Sequence, residues 1–308
     1  MNTTVLAGGV GAARFLEGLV QAAPPRDITV ISNTGDDEDF FGLRVSPDID
    51  IVIYTLAGAI DAEKGWGLAG ETFHTLDALR RFGYETWFNL GDGDLATHVH
   101  RTRLLRDGAT LSQATRAIAR AFALELTLLP VSDDRIRTLV ETGAGTLAFQ
   151  EYFVKRRTDD EVRAVRFAGA EAARPAPGVI DAIRNADLVV IAPSNPIVSI
   201  GPLLAVPGVR AALRETAAPV VAVSPIVGGK TIKGPADRMM ASLGMTPTAA
   251  GVAEAYRDFL DVLVIDEEDR ALAPAVEATG VRAVVAQTIM RGPAEKRALA
   301  EAVLGAVQ

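Results

Sequence analysis

Two acidic stretches follow closely on a glycine-rich strand end. Leu6-Ala7-Gly8-Gly9-Val10-Gly11 precedes Asn33-Thr34-Gly35-Asp36-Asp37 and Ser46-Pro47-Asp48-Ile49-Asp50. Glycines let backbone N–H groups approach a phosphate, and a helix N-terminus favours an anion. Carboxylates repel phosphate unless a cation lies between them. Mg²⁺ meets that need with one or two carboxylates plus substrate phosphates and water. The pattern points to a metal-assisted enzyme acting on a phosphorylated or nucleotide substrate, with Asp36, Asp37, Asp48 and Asp50 as the acid set. Taken singly, each aspartate also suits a turn or a helix cap, and the glycines suit a tight strand-to-helix turn. On an extended segment Asp48 and Asp50 would share a face.

Further polar loops carry candidate binding groups. Leu90-Gly91-Asp92-Gly93-Asp94-Leu95-Ala96-Thr97-His98 offers Asp92, and His98 for substrate orientation or proton transfer, although a lone histidine is more often structural. Ala192-Pro193-Ser194-Asn195-Pro196 offers Ser194 and Asn195 for a base, ribose or phosphate, while its prolines equally suit a rigid turn. Ser224-Pro225-Ile226-Val227-Gly228-Gly229-Lys230 supplies Gly228 and Lys230, with Lys233 close behind, in a chain of only 5 lysines. A lysine in a glycine-rich loop suits phosphate; the alternative is a solvated surface loop. Ser132-Asp133-Asp134-Arg135 reads equally as a helix cap or a rim contact.

Short apolar runs alternating with helical periodicity must position these loops. Thr4–Ala7, Ile28–Ile31, Asp187–Ala192, Pro219–Val223, Leu260–Ile265 and Val281–Ala286 read as buried strands, and Thr86–Leu90 as a further one. Ala12–Gln21, the stretch holding Phe73, Leu76, Leu79 and Phe82, and Leu111–Phe122 read as helices. The expected fold is α/β: a doubly wound, mostly parallel, Rossmann-like sheet in one domain over 1–308, with a smaller irregular insertion at about 127–173. Ala172–Gly178 is the linker candidate. In such sheets ligands gather beyond the carboxyl ends of the strands, where these motifs fall, so one shared cleft is expected.

Composition excludes several classes. Hydrophobic residues make up 49% of the 308 positions, enough for a sizeable core. A net charge of -8 argues against a general nucleic-acid or anionic-membrane binder. With no cysteine, disulfides, thiolate metal sites and cysteine nucleophiles are excluded. No apolar run approaches the roughly 20 residues of a membrane helix, and no signal peptide is evident. A cytoplasmic location is the expectation.

At these motifs the chain resembles the 2-phospho-L-lactate transferase family of coenzyme F420 biosynthesis. The matching stretches are Gly8–Phe15, Gly35-Asp36-Asp37, Ser46–Asp50, Tyr54–Gly58, Leu90–His98, Ala192–Gly201 and Ser224–Met240, in order along the chain. The resemblance implies an acceptor, the deazaflavin Fo, whose ribityl chain ends in a primary hydroxyl. It implies a guanosine diphosphate donor carrying 2-phospholactate or enolpyruvyl phosphate, release of GMP, Mg²⁺ at the diphosphate, and a homodimer. By position it assigns Asp36 and Asp50 to the metal and reaction centre, with Asp37 and Asp48 in support. Gly8, Gly9 and Gly11 fall at the donor phosphates, and Ser194, Asn195 and Gly228 at the guanosine. Asp50 would also lie near the Fo hydroxyl. The family pattern Leu-Gly-Asp-Arg-Asp, whose Arg contacts Fo, is here broken by Gly93. Either Arg101 or Arg103 replaces it, or acceptor binding is weaker or altered. The runner-up is a nucleotide-sugar-binding regulator of the related gluconeogenesis-factor branch. An NAD-dependent oxidoreductase would need a complete G-x-G-x-x-G, for which Gly8, Gly9 and Gly11 are mis-spaced.

Overall fold

The structure is a computed structural model describing residues 1–307. Seven parallel strands form the central sheet: β1 (Thr3–Ala7), β2 (Ile28–Ser32), β3 (Thr127–Pro130), β4 (Leu188–Ile191), β5 (Val220–Val223), β6 (Val262–Asp266) and β7 (Arg282–Ala286). Their order across the sheet is β7-β6-β5-β4-β1-β2-β3. Six of the runs read as strands in the sequence are here, and each of β1, β4, β5 and β6 is buried along its whole length. Helices cover both faces, which is why these strands are continuous apolar runs rather than alternating ones. One core lies on each face. Leu6, Ile31, Val189 and Ile191 point into one, Val5, Val30, Leu188 and Val190 into the other, as the two-residue period of a strand requires.

The chain winds outward through β1, β2 and β3, then returns to the other side of β1 with β4. That reversal leaves a crevice between β1 and β4 beyond their carboxyl ends, the usual ligand position in an open α/β sheet. Helix α1 (Gly9–Ala22) starts at this crevice, and α2 (Pro47–Leu56) packs against it. The helix Pro293–Gly305 backs α1 so closely that a Cβ on Gly18 would lie 2.1 Å from the Lys296 carbonyl oxygen. Only glycine allows that approach, and Lys296 pairs with Glu17 beside it.

Two local expectations are corrected. Thr86–Leu90 is not a strand but a loop that bends at Phe88. Its aromatics seek cover rather than a ladder: Phe88 stacks on Phe40 at 4.2 Å and Trp87 meets the same ring edge-on. Asp48 and Asp50 lie not on an extended segment but in the first turn of α2, where Pro47 starts the helix. Two residues along a helix turn about 200°, so the carboxylates diverge. The stretch 127–173 opens with edge strand β3 and continues as a three-stranded antiparallel sheet of Arg137–Thr142, Gly145–Ala148 and Val162–Ala168. Ala173 and Ala176 of the linker candidate are packed into the core, so that segment is a fixed connection.

Candidate active site

A cavity of about 510 Å³ opens at the β1–β4 crevice. Its size suits a small-molecule substrate. Gly8, Gly9 and Gly11 floor it after β1, and Ser194 and Asn195 line it after β4. Gly8 is extended, Gly9 takes a φ of +75°, and α1 begins there. A Cβ on Gly8 would fall 2.8 Å from the Ser199 Cβ, and one on Gly11 2.3 Å from the Pro193 carbonyl oxygen. The glycines therefore let the loops after β1 and β4 touch, as well as leaving room for a ligand.

The acid set divides between two cavities. Asp36, Asp48 and Asp50 line the cavity, whereas Asp37 faces a smaller cavity with Thr34, Arg44, Asp133, Asp134 and Arg135. Asp48 accepts from the Asn33 amide at 2.8 Å, which is how Asn33 reaches the site. Burial raises Asp36 well above the usual carboxylate range, and the neighbouring Asp48 charge adds to the rise. Asp48 is raised too, again by burial, partly offset by the Asn33 amide and the Gly9 N–H. Asp36 Oδ1 is buried with no hydrogen-bond partner among the described residues. Asp37 is pushed up to about 7 by burial, against the hydrogen bond from Ser46 at 2.7 Å and the charge of Arg101.

Asp50 belongs to a different network. Its two carboxylate oxygens accept from Arg101, Oδ1 from Nη2 and Oδ2 from Nη1 at 3.1 Å. Arg101 is wholly buried. Its Nη1 also lies 3.2 Å from His98 Nδ1, and His98 Nε2 lies 3.2 Å from Asp94 Oδ1. That oxygen accepts from the Tyr54 hydroxyl at 2.6 Å. Burial would raise Asp94, but His98, Tyr54 and Arg101 outweigh it, and the carboxyl ends below its ordinary value. Tyr54 follows Asp50 by one turn of α2, and Asp94, His98 and Arg101 share one face of α4 (Asp92–Arg106). Asp94, His98, Asp50 and Tyr54 reach the cavity wall, and Arg101 supports them from behind.

Three binding candidates lie elsewhere. Asp92 faces away from the cavity, accepting from the Thr72 hydroxyl at 2.6 Å and from the His74 and Thr75 N–H groups at 3.0 Å each. It fixes the start of α3 (His74–Arg81), an N-terminal carboxylate in a favourable place. Gly228 (φ +57°) donates its N–H to Asp269 at 3.2 Å and lies beyond the cavity wall. The hairpin Ile226–Val227/Lys230–Thr231 turns Lys230 to solvent, and Lys233 lines the cavity instead. Nor does Asn195 offer its carbonyl oxygen to a ligand, since it caps the Ile197 N–H at 2.9 Å. Ser194 Oγ is buried and unpartnered among the described residues. As for the arginine missing at Gly93, Arg103 is exposed and paired with Asp107, and Arg101 is locked to Asp50. Sequence reading missed the apolar wall of Trp66, Phe88, Phe149 and Phe153 and the cation Arg14. Phe149 and Phe153, one helical turn apart, stack at 5.5 Å and 6°; their spacing was the available signal.

A model of the family described as 2-phospho-L-lactate transferase CofD matches residues 3–297. The chain belongs to this family. It is 50% identical over 288 residues to a protein of Streptomyces griseus named phosphoenolpyruvate transferase, covering 92% of this chain and 91% of that one. It is 41% identical over 301 residues to a Methanosarcina acetivorans protein named 2-phospho-L-lactate transferase, covering 98% and 97%. A solved protein of the upf0052 family from Bacillus halodurans shares the fold with a TM-score of 0.65 at 16% identity, covering 98% of each chain. The family makes the chain a transferase. No helix among the described residues is long and apolar enough to cross a membrane.

Proposed function

We propose that the chain transfers a phospho-three-carbon-acid group from a guanosine diphosphate donor to the ribityl hydroxyl of the deazaflavin Fo, releasing GMP, in coenzyme F420 biosynthesis. The observation that carries this reading is a single cavity with two unlike walls. On one side are the glycine loop and the buried Asp36–Asp48 pair; on the other are stacked aromatics suited to a flat ring system. Enolpyruvyl phosphate is favoured as the group, because the S. griseus relative at 50% identity is named phosphoenolpyruvate transferase.

Asp36 and Asp48 fit a hard cation. They are two adjacent carboxylates pushed toward protonation by burial, one with an unpartnered buried oxygen. No cluster of three or more His, Cys, Asp or Glu groups suited to a metal occurs among the described residues, and Mg²⁺ sites completed by substrate phosphates do not need one. Asp36 and Asp48 would hold Mg²⁺, whose chemistry when bound is to neutralise the diphosphate and the leaving group. Asp37 and Asp50 are not in that pair. The N–H groups at the start of α1 receive the diphosphate. Asp50, fixed by Arg101 and facing the cavity, accepts the Fo hydroxyl's hydrogen bond and then its proton as the new O–P bond forms and the bond to GMP breaks. The proposed assembly is a homodimer in the cytoplasm.

Incubation with Fo, Mg²⁺ and each guanylylated three-carbon acid, followed by mass analysis, tests the proposal. The expected product is the phosphodiester of Fo, with equimolar GMP, abolished by chelator and by Asp48→Asn. Full turnover in EDTA would remove the metal from the reading. Absence of any Fo adduct with every donor would remove the reading itself.

A further inference from the structure

Arg14 and Lys233 are the arginine and lysine that line the cavity. Elsewhere around the site the cations are matched: Arg101 by Asp50, Arg44 by Asp39, Arg135 by Glu38 and Asp39, and Arg137 by Glu38. Neither Arg14 nor Lys233 forms an ion pair among the described residues. The Lys233 ammonium donates only to the Lys64 carbonyl oxygen, at 3.1 Å. It lies 3.3 Å from where a Cβ on Gly65 would be, and that same point is 4.0 Å from Val10 Cγ1, so Lys233 hangs over the glycine loop. Arg14 is one turn farther along α1 from Val10, on the same face. Lys233 titrates below the usual lysine range, through burial first and the Arg14 charge second. Two like charges thus line one cavity, neither of them paired with a carboxylate among the described residues.

The proposed donor carries charge in two places. Its diphosphate is matched by the loop N–H groups and by the cation that Asp36 and Asp48 would hold. Its three-carbon acid adds a carboxylate that this machinery does not neutralise. We propose that Arg14 and Lys233 form the subsite for that carboxylate and select donors bearing an acid over nucleoside diphosphate esters that lack one. This inference rests on the donor assignment above. The guanidinium supplies paired N–H donors and the ammonium a point charge, and charge-assisted bonds of this kind are strong in a partly dry site.

Calorimetric binding with Mg²⁺ present tests it, using guanosine diphosphate esters of 2-lactate and of ethanol, which differ only in the carboxylate. The wild type is expected to bind the lactyl ester about tenfold to a hundredfold more tightly. Lys233→Met and Arg14→Met should each shrink that preference at least fivefold while leaving ethyl-ester affinity within about twofold, and Lys233→Arg should retain most of it. Circular dichroism and melting checks exclude misfolding as the cause. Equal binding of the two esters by the wild type would overturn the subsite. So would an equal loss for both esters in the variants, since the cations would then serve the diphosphate. If the wild type binds neither ester, the donor assignment itself has failed.

Discussion

Removing Arg101 should expose how the site is held. Asp50 is 4% exposed and Arg101 0% exposed, so Arg101→Met leaves a nearly buried carboxylate on the cavity wall without its partner. Breaking one side of a buried pair costs about 3–5 kcal/mol, because the remaining charge keeps its desolvation cost without its partner. The variant also loses the contacts of Nη1 with His98 Nδ1 and with the Arg44 carbonyl oxygen. Unfolding entropy near 2.1 cal/mol/K per residue makes the melting temperature fall by roughly 5–8 °C in a chain of 308 residues. Scanning calorimetry at pH 7 reads this directly. The double variant Arg101→Met/Asp50→Asn should recover at least half of the loss, since it removes the stranded charge as well. A fall under 2 °C for the single variant, or no recovery in the double, would refute the claim that the pair is a charge lock.

Gly11→Ala should lower stability by about 1–3 kcal/mol and turnover at least tenfold, because the new methyl meets the Pro193 carbonyl oxygen at 2.3 Å and pushes the β4 loop outward; a crystal structure of the variant with Pro193 unmoved would contradict this. Asp92→Asn should leave kcat within about twofold, because Asp92 holds α3 rather than substrate. Hydrogen bonds from Thr72 and from the Thr75 and His74 backbone keep Asp92 below its ordinary 3.8, so its stabilisation is complete above that value and fades as pH falls through the lower folded value. Melting curves of wild type and Asp92→Asn should therefore differ at pH 7, begin to draw together as pH falls below about 3.8, and meet only below the lower folded value. Phe149→Ala/Phe153→Ala should raise KM for Fo at least tenfold with a much smaller change for the donor; equal changes for both would argue against an aromatic acceptor wall.

The sheet was legible because β4, β5 and β6 are unbroken apolar runs, a pattern that double-sided burial produces. Thr86–Leu90 carried similar residues, but Trp87 and Phe88 bury themselves on Phe40, a tertiary contact no local pattern reveals. The start of α2 was readable from Ser46-Pro47, yet the alternation of Asp48 and Asp50 drew attention instead. Asp36, Asp48 and Asp50 were found because oxygen ligands near a glycine turn are a chemical pattern. Arg101 entered only as a stand-in for the arginine missing at position 93, because a charged side chain on a helix reads as solvated until its partner is known. Whether Lys230 or Lys233 enters the cavity is set by hairpin register, which the spacing does not show.

The contact between Gly18 and the Lys296 backbone joins two segments far apart in the sequence. Helix α1, whose start lines the cavity, finds its outer support in residues made nearly three hundred positions later. During synthesis the crevice at the start of α1 therefore lacks this brace until Lys296 has been made.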